Sequence, residues 1–250
     1  MIVAYLQRHC NLSYDKARQK VWLVDSKGLV SSSRTDVLAH HKQPYAHVLP
    51  SGASVHNADG ILDAVKLVKP SVLIGVSAQG GTFTEAVCKQ MASTNRNPVI
   101  FALSNPTSKA ECTAQQAYQW TNGKCVFASG SPFDPVTLNG KTFVPGQGNN
   151  AYIFPGVGLG AIACGAKTLT DDDLAIAASA LAKQVTPARL ETGCAYPPLS
   201  DIRNVSLMIA AAVAENIMKE GRADPILQKT LKSFDAIKER CRSMMYEPKY

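Results

Sequence analysis

The sequence predicts an α/β fold: a Rossmann-like parallel sheet with helices on both faces, followed by a helical C-terminal extension. Three observations carry that expectation. Short apolar runs rich in Val, Ile and Leu alternate with stretches of helical period over residues 20–128, each run ends in a loop of small polar residues, and the pattern turns helical after residue 150. Strands separated by helices of roughly 10–15 residues make βαβ units, whose crossovers are right-handed and whose strands lie parallel and covered.

Residues 1–9 are apolar with polar residues entering at the end, as in the tail of a helix. The run over 20–25 (KVWLVD) is short, apolar and closed by an acid, which predicts a buried strand running into the Ser26-Lys27-Gly28 loop. Helical spacing over 61–68 is stopped by Lys69-Pro70. Residues 72–76 form the next strand, 77–82 a Gly-rich turn, and 84–92 a helix. A third strand over 98–103 runs into Ser104-Asn105-Pro106-Thr107, a helix covers 113–121, and a fourth strand over 125–128 ends in the 129–133 loop. Asn139-Gly140 between two apolar-polar triplets is a strong hairpin signal. Three helical stretches follow, near 153–165, 171–184 and 202–220, and then a charged tail helix. The small residues over 174–182 permit close helix packing. With no repeat or linker in evidence, 1–250 reads as one domain, βα units and hairpin over 1–150 and a helical extension of the same domain over 151–250.

A hydrophobic content of 46% in 250 residues supports a packed core, and 18% charge with 17 Gly and 14 Pro excludes collagenous, low-complexity and disordered classes. The net charge of +7 would suggest nucleic acid, but it sits at the ends: +4 within residues 1–50 and +3 within 222–250, with twelve charges of each sign between. No Lys/Arg-rich run with interleaved aromatics exists, so no nucleic-acid partner is expected. The first apolar run is too short before Arg8 to span a bilayer and lacks a signal-peptide layout, so neither membrane nor secretion is expected. Seven cysteines without CxxC or Cys/His spacing read as reduced thiols, placing the chain in the cytoplasm or an organelle matrix.

Asp25 ends a run that should be the second strand of a dinucleotide fold, where an acid accepts hydrogen bonds from the adenosine ribose. The glycine fingerprint that ordinarily precedes such an acid by about 20 residues is not in this sequence. With Met1 already in a helix, the first strand and its phosphate-binding turn are expected to be missing. On spacing alone, Asp25 could equally cap the Ser26–Gly28 turn. Ser26, Lys27, Arg34 and Lys42 make the following segment basic, which favours NADP over NAD for any bound dinucleotide, because a 2′-phosphate needs such donors; the bland alternative is a solvated loop.

In parallel sheets ligands lie beyond the carboxyl ends of the strands, so the loops carrying Ser77, Ala78, Gln79, Gly80 and Asn105 should converge on one edge. Gly146-Gln147-Gly148-Asn149-Asn150 is more telling, because turn formation alone does not require two glycines and three carboxamides. Asn149 and Asn150 are suited to gripping a carboxylate and a hydroxyl without adding charge. His40-His41 point apart and lack a third ligand, and Asp171-Asp172-Asp173 after Thr170 fits a helix first turn better than a metal cluster. No paired-carboxylate, Ser/His/Asp or Cys/His constellation is defensible, so no catalytic residue and no metal ligand is assigned. The histidines His9, His40, His41, His47 and His56 all precede the central strands and leave the later loops without an obvious base.

The segments Trp22-Leu-Val-Asp-Ser-Lys-Gly-Leu29, Ile100-Phe-Ala-Leu-Ser-Asn-Pro-Thr-Ser-Lys-Ala-Glu-Cys112, Phe127-Ala-Ser-Gly-Ser-Pro-Phe133, Pro145-Gly-Gln-Gly-Asn-Asn150 and Phe154-Pro-Gly-Val157 strongly resemble malic enzymes. These oxidative decarboxylases convert malate to pyruvate and CO₂ with reduction of NAD(P). The similarity runs in order from about residue 1 to 220, and Tyr196-Pro-Pro-Leu199 with Ile202-Arg203 extends it into the helical end. The resemblance implies that Asp25 and its neighbours hold the adenosine half, and that Ser26 and Lys42 contact the 2′-phosphate of NADP. It places Ser77–Gly80 and Asn105 beside the nicotinamide, and Asn105 and Asn149 at the malate.

The family's general-base lysine, catalytic tyrosine, substrate arginine and three acidic ligands for Mg²⁺ or Mn²⁺ precede the glycine fingerprint and have no counterpart here. The chain alone is therefore expected to be inactive, and the complete protein a homo-oligomeric enzyme. Two alternatives stand beside this: a stand-alone nucleotide-binding or regulatory module derived from such a domain, and another Rossmann oxidoreductase, which would have to explain the 146–150 segment. A missing central strand also predicts exposed strand edges and poor solubility.

Overall fold

The structure is a computed structural model that describes residues 2–50 and 60–247; His56 lies outside the described residues. The chain divides into two compact units, one comprising residues 2–148 and 192–194, the other 149–191 and the described residues from 195 onward.

The first unit opens with helices α1 (Ile2–Cys10) and α2 (Tyr14–Arg18), followed by β1 (Val24–Asp25), β2 (Gly28–Leu29) and α3 (Gly60–Val68). Its centre is built by β3 (Val72–Gly75), α4 (Glu85–Thr94), β4 (Val99–Ala102), α5 (Ala114–Trp120) and β5 (Val126–Ser129). The hairpin β6 (Val136–Leu138) and β7 (Lys141–Phe143) leads to β8 (Gly146–Gln147). Strands β3, β4, β5 and β8 form one wholly parallel sheet in that order.

The expected strands over 72–76, 98–103 and 125–128 thus pair as sequence periodicity predicts. Their register sets Val72 against Val99 and Val99 against Val126, so the carboxyl ends Gly75, Ala102 and Ser129 lie level. Thr84 starts α4 by accepting the Val87 N–H, and Thr113 and Gln116 form a reciprocal capping box that starts α5. Both helices turn buried faces, Val87, Cys88 and Met91 on one and Ala117 and Tyr118 on the other, toward Ile100, Ala102 and Phe127. Full burial of each large apolar side chain contributes roughly 1.5–3 kcal/mol.

The 20–25 run departs from expectation. Only Val24 and Asp25 take up strand pairing, and they pair antiparallel with Leu29 and Gly28 rather than joining the parallel sheet. The cause is local: Asp25 Oδ1 accepts the Lys27 N–H at 2.9 Å, so the chain reverses at Ser26-Lys27. The outer edge of β3 carries no strand partner among the described residues, and Val72, Ile74 and Val76 are 45%, 40% and 73% exposed.

The second unit is helical: α6 (Phe154–Ala163), α7 (Asp171–Ala182), α8 (Pro187–Glu191), α9 (Ile202–Lys219), α10 (Pro225–Thr230) and α11 (Phe234–Ser243). Helix α9 is its axis, with Val205, Ile209, Val213 and Ile217 on one fully buried stripe at a spacing of four. Gly156 and Gly160 let α6 lie directly on α9, since a Cβ at Gly160 would stand 2.6 Å from the Ala210 carbonyl oxygen. The Asp171–Asp173 cluster is a helix start, as the sequence suggested. Buried Asp173 accepts from Thr170 N and Oγ1, and its other oxygen takes Arg222 Nη2 and Asn216 Nδ2, each at 2.8 Å. Burial raises the Asp173 carboxyl, and these bonds, Arg222 foremost, outweigh it to leave it below its ordinary range.

Candidate functional site

Three loops meet at the level carboxyl ends of β3, β4 and β5. The first carries Ser77, Ala78, Gln79 and Gly80, all exposed, with Ala78 in the left-handed region at φ 56°. Its Ala78 N–H donates to Ser104 Oγ in the second loop at 2.9 Å. Asn105 follows, exposed, in a cis Asn105–Pro106 peptide, and its Oδ1 accepts Ser131 Oγ from the third loop at 2.9 Å. Among the described residues the Asn105 amide nitrogen has no hydrogen-bond acceptor and can donate. Gly130 makes the meeting possible: a Cβ there would stand 2.3 Å from the Leu103 carbonyl oxygen and within 2.8 Å of the Asn105 amide. The convergence expected for the loops at 77–82, 104–107 and 129–133 is therefore present, whereas the Ser26–Gly28 loop, expected on the same edge, follows a strand outside the parallel sheet.

A second cluster forms at the β1–β2 turn. Asp25 Oδ1 accepts Arg34 Nη1 at 2.8 Å beside the Lys27 N–H, and Oδ2 accepts Lys42 Nζ at 2.6 Å. Arg34, whose side chain is only 3% exposed, also holds Asp36 in a two-pronged pair, Nε to Oδ1 and Nη2 to Oδ2, both at 2.7 Å. Lys27 Nζ adds a 3.2 Å contact to Asp36. Partial burial raises the Asp25 carboxyl, but the Lys42, Lys27 and Arg34 bonds prevail and hold it below its ordinary value. The Arg34 guanidinium likewise holds Asp36 well down.

Of the two sequence readings of Asp25, the turn brace is present in this geometry, through the Lys27 N–H. The carboxylate braces the turn, and since Oδ1 already accepts two donors while Oδ2 accepts one, a lone pair on Oδ2 remains for a ribose hydroxyl. Ser26 is exposed at the tip of the turn, and Lys42 and Lys27 keep 30% and 64% of their side chains in solvent. Two reachable ammonium groups and a hydroxyl are the donor set that a phosphate monoester requires.

Asn149 and Asn150 lie in the second unit and are both exposed. Asn149 Oδ1 accepts the Ala151 N–H at 2.8 Å and starts a short 3-10 turn over Asn150–Tyr152. Among the described residues no three His, Cys, Asp or Glu side chains gather closely enough to hold a metal ion, so the residues present do not fit a Mg²⁺ or Mn²⁺ centre. Sequence reasoning named Arg34 only as one of three basic residues after the strand and Ser104 only within the 104–107 loop, and it gave Glu111 and Ser131 no individual role. The available signals were Asp36 two residues beyond Arg34 and a lone acid, Glu111, inside an apolar Ala-Glu-Cys run.

Residues 1–218 match the family model described as the malic enzyme NAD-binding domain. The chain belongs to that family. The NADP-dependent malic enzyme of Populus trichocarpa is 49% identical over 250 residues, all of this chain and 40% of that protein. The chloroplastic NADP-dependent malic enzyme of Flaveria pringlei is 48% identical over the whole chain and 37% of its own length. This malic enzyme NAD-binding domain therefore spans well under half of the curated relatives it matches. Among solved structures, the malic enzyme of Entamoeba histolytica aligns with a TM-score of 0.66 over 90% of this chain and 42% of that one, at 22% identity. That of Pyrococcus horikoshii aligns at 0.54 over 74% and 36%, at 26% identity. The resemblance read from the five segments and the Rossmann-like parallel sheet are both borne out, and the family carries with it a nucleotide cofactor. No helix among the described residues is long and apolar enough to cross a membrane.

Proposed function

We propose that this chain holds NADP for a malic enzyme, and that the whole protein oxidatively decarboxylates malate to pyruvate and CO₂. The observation that carries the proposal is the Asp25 cluster: a braced carboxylate with one spare lone pair, flanked by an exposed hydroxyl and two reachable ammonium groups. Asp25 accepts from the adenosine ribose, and Ser26 and Lys42 donate to the 2′-phosphate. Ser77–Gly80 and Asn105 receive the nicotinamide half, and the free Asn105 amide nitrogen donates to a malate carboxylate. Asn149 and Asn150, both exposed, are read as substrate carboxamides on the strength of the family resemblance. When bound, the dinucleotide supplies the hydride acceptor. No metal-assisted step is assigned to these residues, since they offer no ligand set. Seven free thiols, six of them buried, favour a reducing compartment, the cytoplasm or an organelle matrix.

Calorimetric titration of the chain with NADP⁺ and NAD⁺ tests the proposal. NADP⁺ should bind and NAD⁺ should bind more weakly; binding of neither refutes it. Absorbance of the reduced cofactor should stay flat when malate and Mn²⁺ are added to the chain alone, and turnover would overturn the assignment of catalysis to residues outside it.

A further inference from the structure

We infer that Glu111 is a positioning residue, which acts through Ser104 to fix the 77–82 turn; the inference rests on reading that turn as the nicotinamide side of the site. Glu111 is 1% exposed and enters no ion pair among the described residues. A carboxylate so placed is costly unless hydrogen bonds compensate it. Both of its oxygens are directed at Ser104: Oε1 accepts the hydroxyl at 2.5 Å and Oε2 accepts the backbone N–H at 3.4 Å.

The direction of the chain of bonds follows. A serine hydroxyl has one proton to give, and it goes to the carboxylate, so the oxygen lone pairs are left for the Ala78 N–H at 2.9 Å. The charge at Glu111 strengthens the outer bond through the inner one. Ala78 is the residue held at φ 56°, a conformation that a non-glycine keeps only when its surroundings compel it. The far end of the turn is gripped by the same residue through its main chain, for the Glu111 carbonyl accepts the Phe83 N–H at 3.0 Å and the adjoining Ala110 carbonyl accepts Gly81 N–H at 3.1 Å. The end of β3 is cut away to admit this side chain: a Cβ at Gly75 would stand 2.3–2.6 Å from three Glu111 atoms. A buried acid, with space reserved for it, thus spends its side-chain hydrogen bonds on buried Ser104, which in turn holds exposed Ala78.

The test uses the full chain, with Glu111→Gln and Ser104→Ala, two ligands and one amide. Adenosine 2′,5′-bisphosphate engages only the Asp25 cluster, whereas NADP⁺ engages both clusters. Each variant should weaken NADP⁺ about tenfold, the loss expected for one charge-assisted hydrogen bond, and leave the bisphosphate unchanged. Hydrogen exchange at the Ala78 amide should accelerate in both. Equal losses for the two ligands would mark Glu111 as a general stability residue and overturn the inference, as would an unchanged NADP⁺ affinity. If the unaltered chain binds neither ligand, the dinucleotide proposal fails separately, and Ala78 exchange decides alone: faster exchange upholds the positioning role and unchanged exchange overturns it. Should Glu111→Gln not fold, Ser104→Ala, which barely alters core volume, gives the same readouts.

Discussion

Replacing Lys42 with Gln should separate the two dinucleotides. In the structure Lys42 Nζ sits 2.6 Å from Asp25 Oδ2 with 30% of its side chain in solvent, so it serves the carboxylate now and is placed to serve a phosphate. On the proposed function, Lys42→Gln removes a charge-assisted contact to the 2′-phosphate, expected to cost about 1.5–3 kcal/mol, or roughly 10- to 150-fold in NADP⁺ affinity. Partial exposure screens the charge, so the lower half of that range applies. For NAD⁺ the outcome differs in sign. Asp25 keeps Arg34 and the Lys27 N–H, and the vacated Oδ2 gains a second lone pair for the ribose 2′-hydroxyl, so NAD⁺ affinity should hold or rise slightly. Paired calorimetric titrations of both dinucleotides, at low and at physiological salt, read this directly. Equal weakening of NAD⁺ and NADP⁺ would refute the reasoning, since it would make Lys42 a brace of the turn and not a reader of phosphate.

Other perturbations have equally definite outcomes. Asp173→Ala leaves Asn216 Nδ2 and the Thr170 N–H unpartnered and should destabilise the helical unit by about 3 kcal/mol, at the low end for a broken buried pair because Arg222 keeps Glu220 and some solvent; urea denaturation followed by circular dichroism measures it. Because the Asp173 carboxyl is depressed below its ordinary 3.8, its contribution is fully present above that pH and is lost as pH falls through the lower native value, a dependence that the alanine variant should lack. Gly130→Ala forces a Cβ to 2.3 Å from a backbone oxygen and should cost about 1–3 kcal/mol, seen as a lowered thermal midpoint. Ile74→Lys places a charge on the open edge of β3 and should raise the soluble, monomeric fraction in light scattering; an unchanged fraction would show that this edge does not drive association.

Much of this architecture is visible in the amino-acid order, for physical reasons that differ element by element. Val99-Ile-Phe-Ala announces a strand because covered parallel strands are apolar on both sides, Val72-Leu-Ile-Gly carries the same apolar pattern although Val72 and Ile74 stay partly exposed, and Thr84 and Thr113 announce helix starts because their hydroxyls answer the first free N–H groups. The 20–25 run misleads because apolar content does not say which neighbour a strand will find, and here an Asp side chain turns the backbone first. Gly146–Gln147 carries no apolar or β-branched sign of a strand, and parallel pairing with Ala128 and Ser129 is what places it in the sheet. In the candidate site, the loops are legible from their position after strands. The partners of Arg34 and Glu111 are not, because contacts such as Arg34 with Asp25 obey no period along the chain.

The level ends of β3, β4 and β5 have a bearing on which changes this scaffold tolerates. Because backbone pairing sets the floor under the loops, volume-conserving exchanges at Leu73 or Ile100 would leave every rim residue where it is. Deleting one residue from a single strand would instead retract one rim by about 3.3 Å and turn that strand's side chains over. Tolerance to substitution alongside intolerance to deletion, scored in a library of single changes across 72–75, 99–102 and 126–129, is the genetic signature that this alignment should leave.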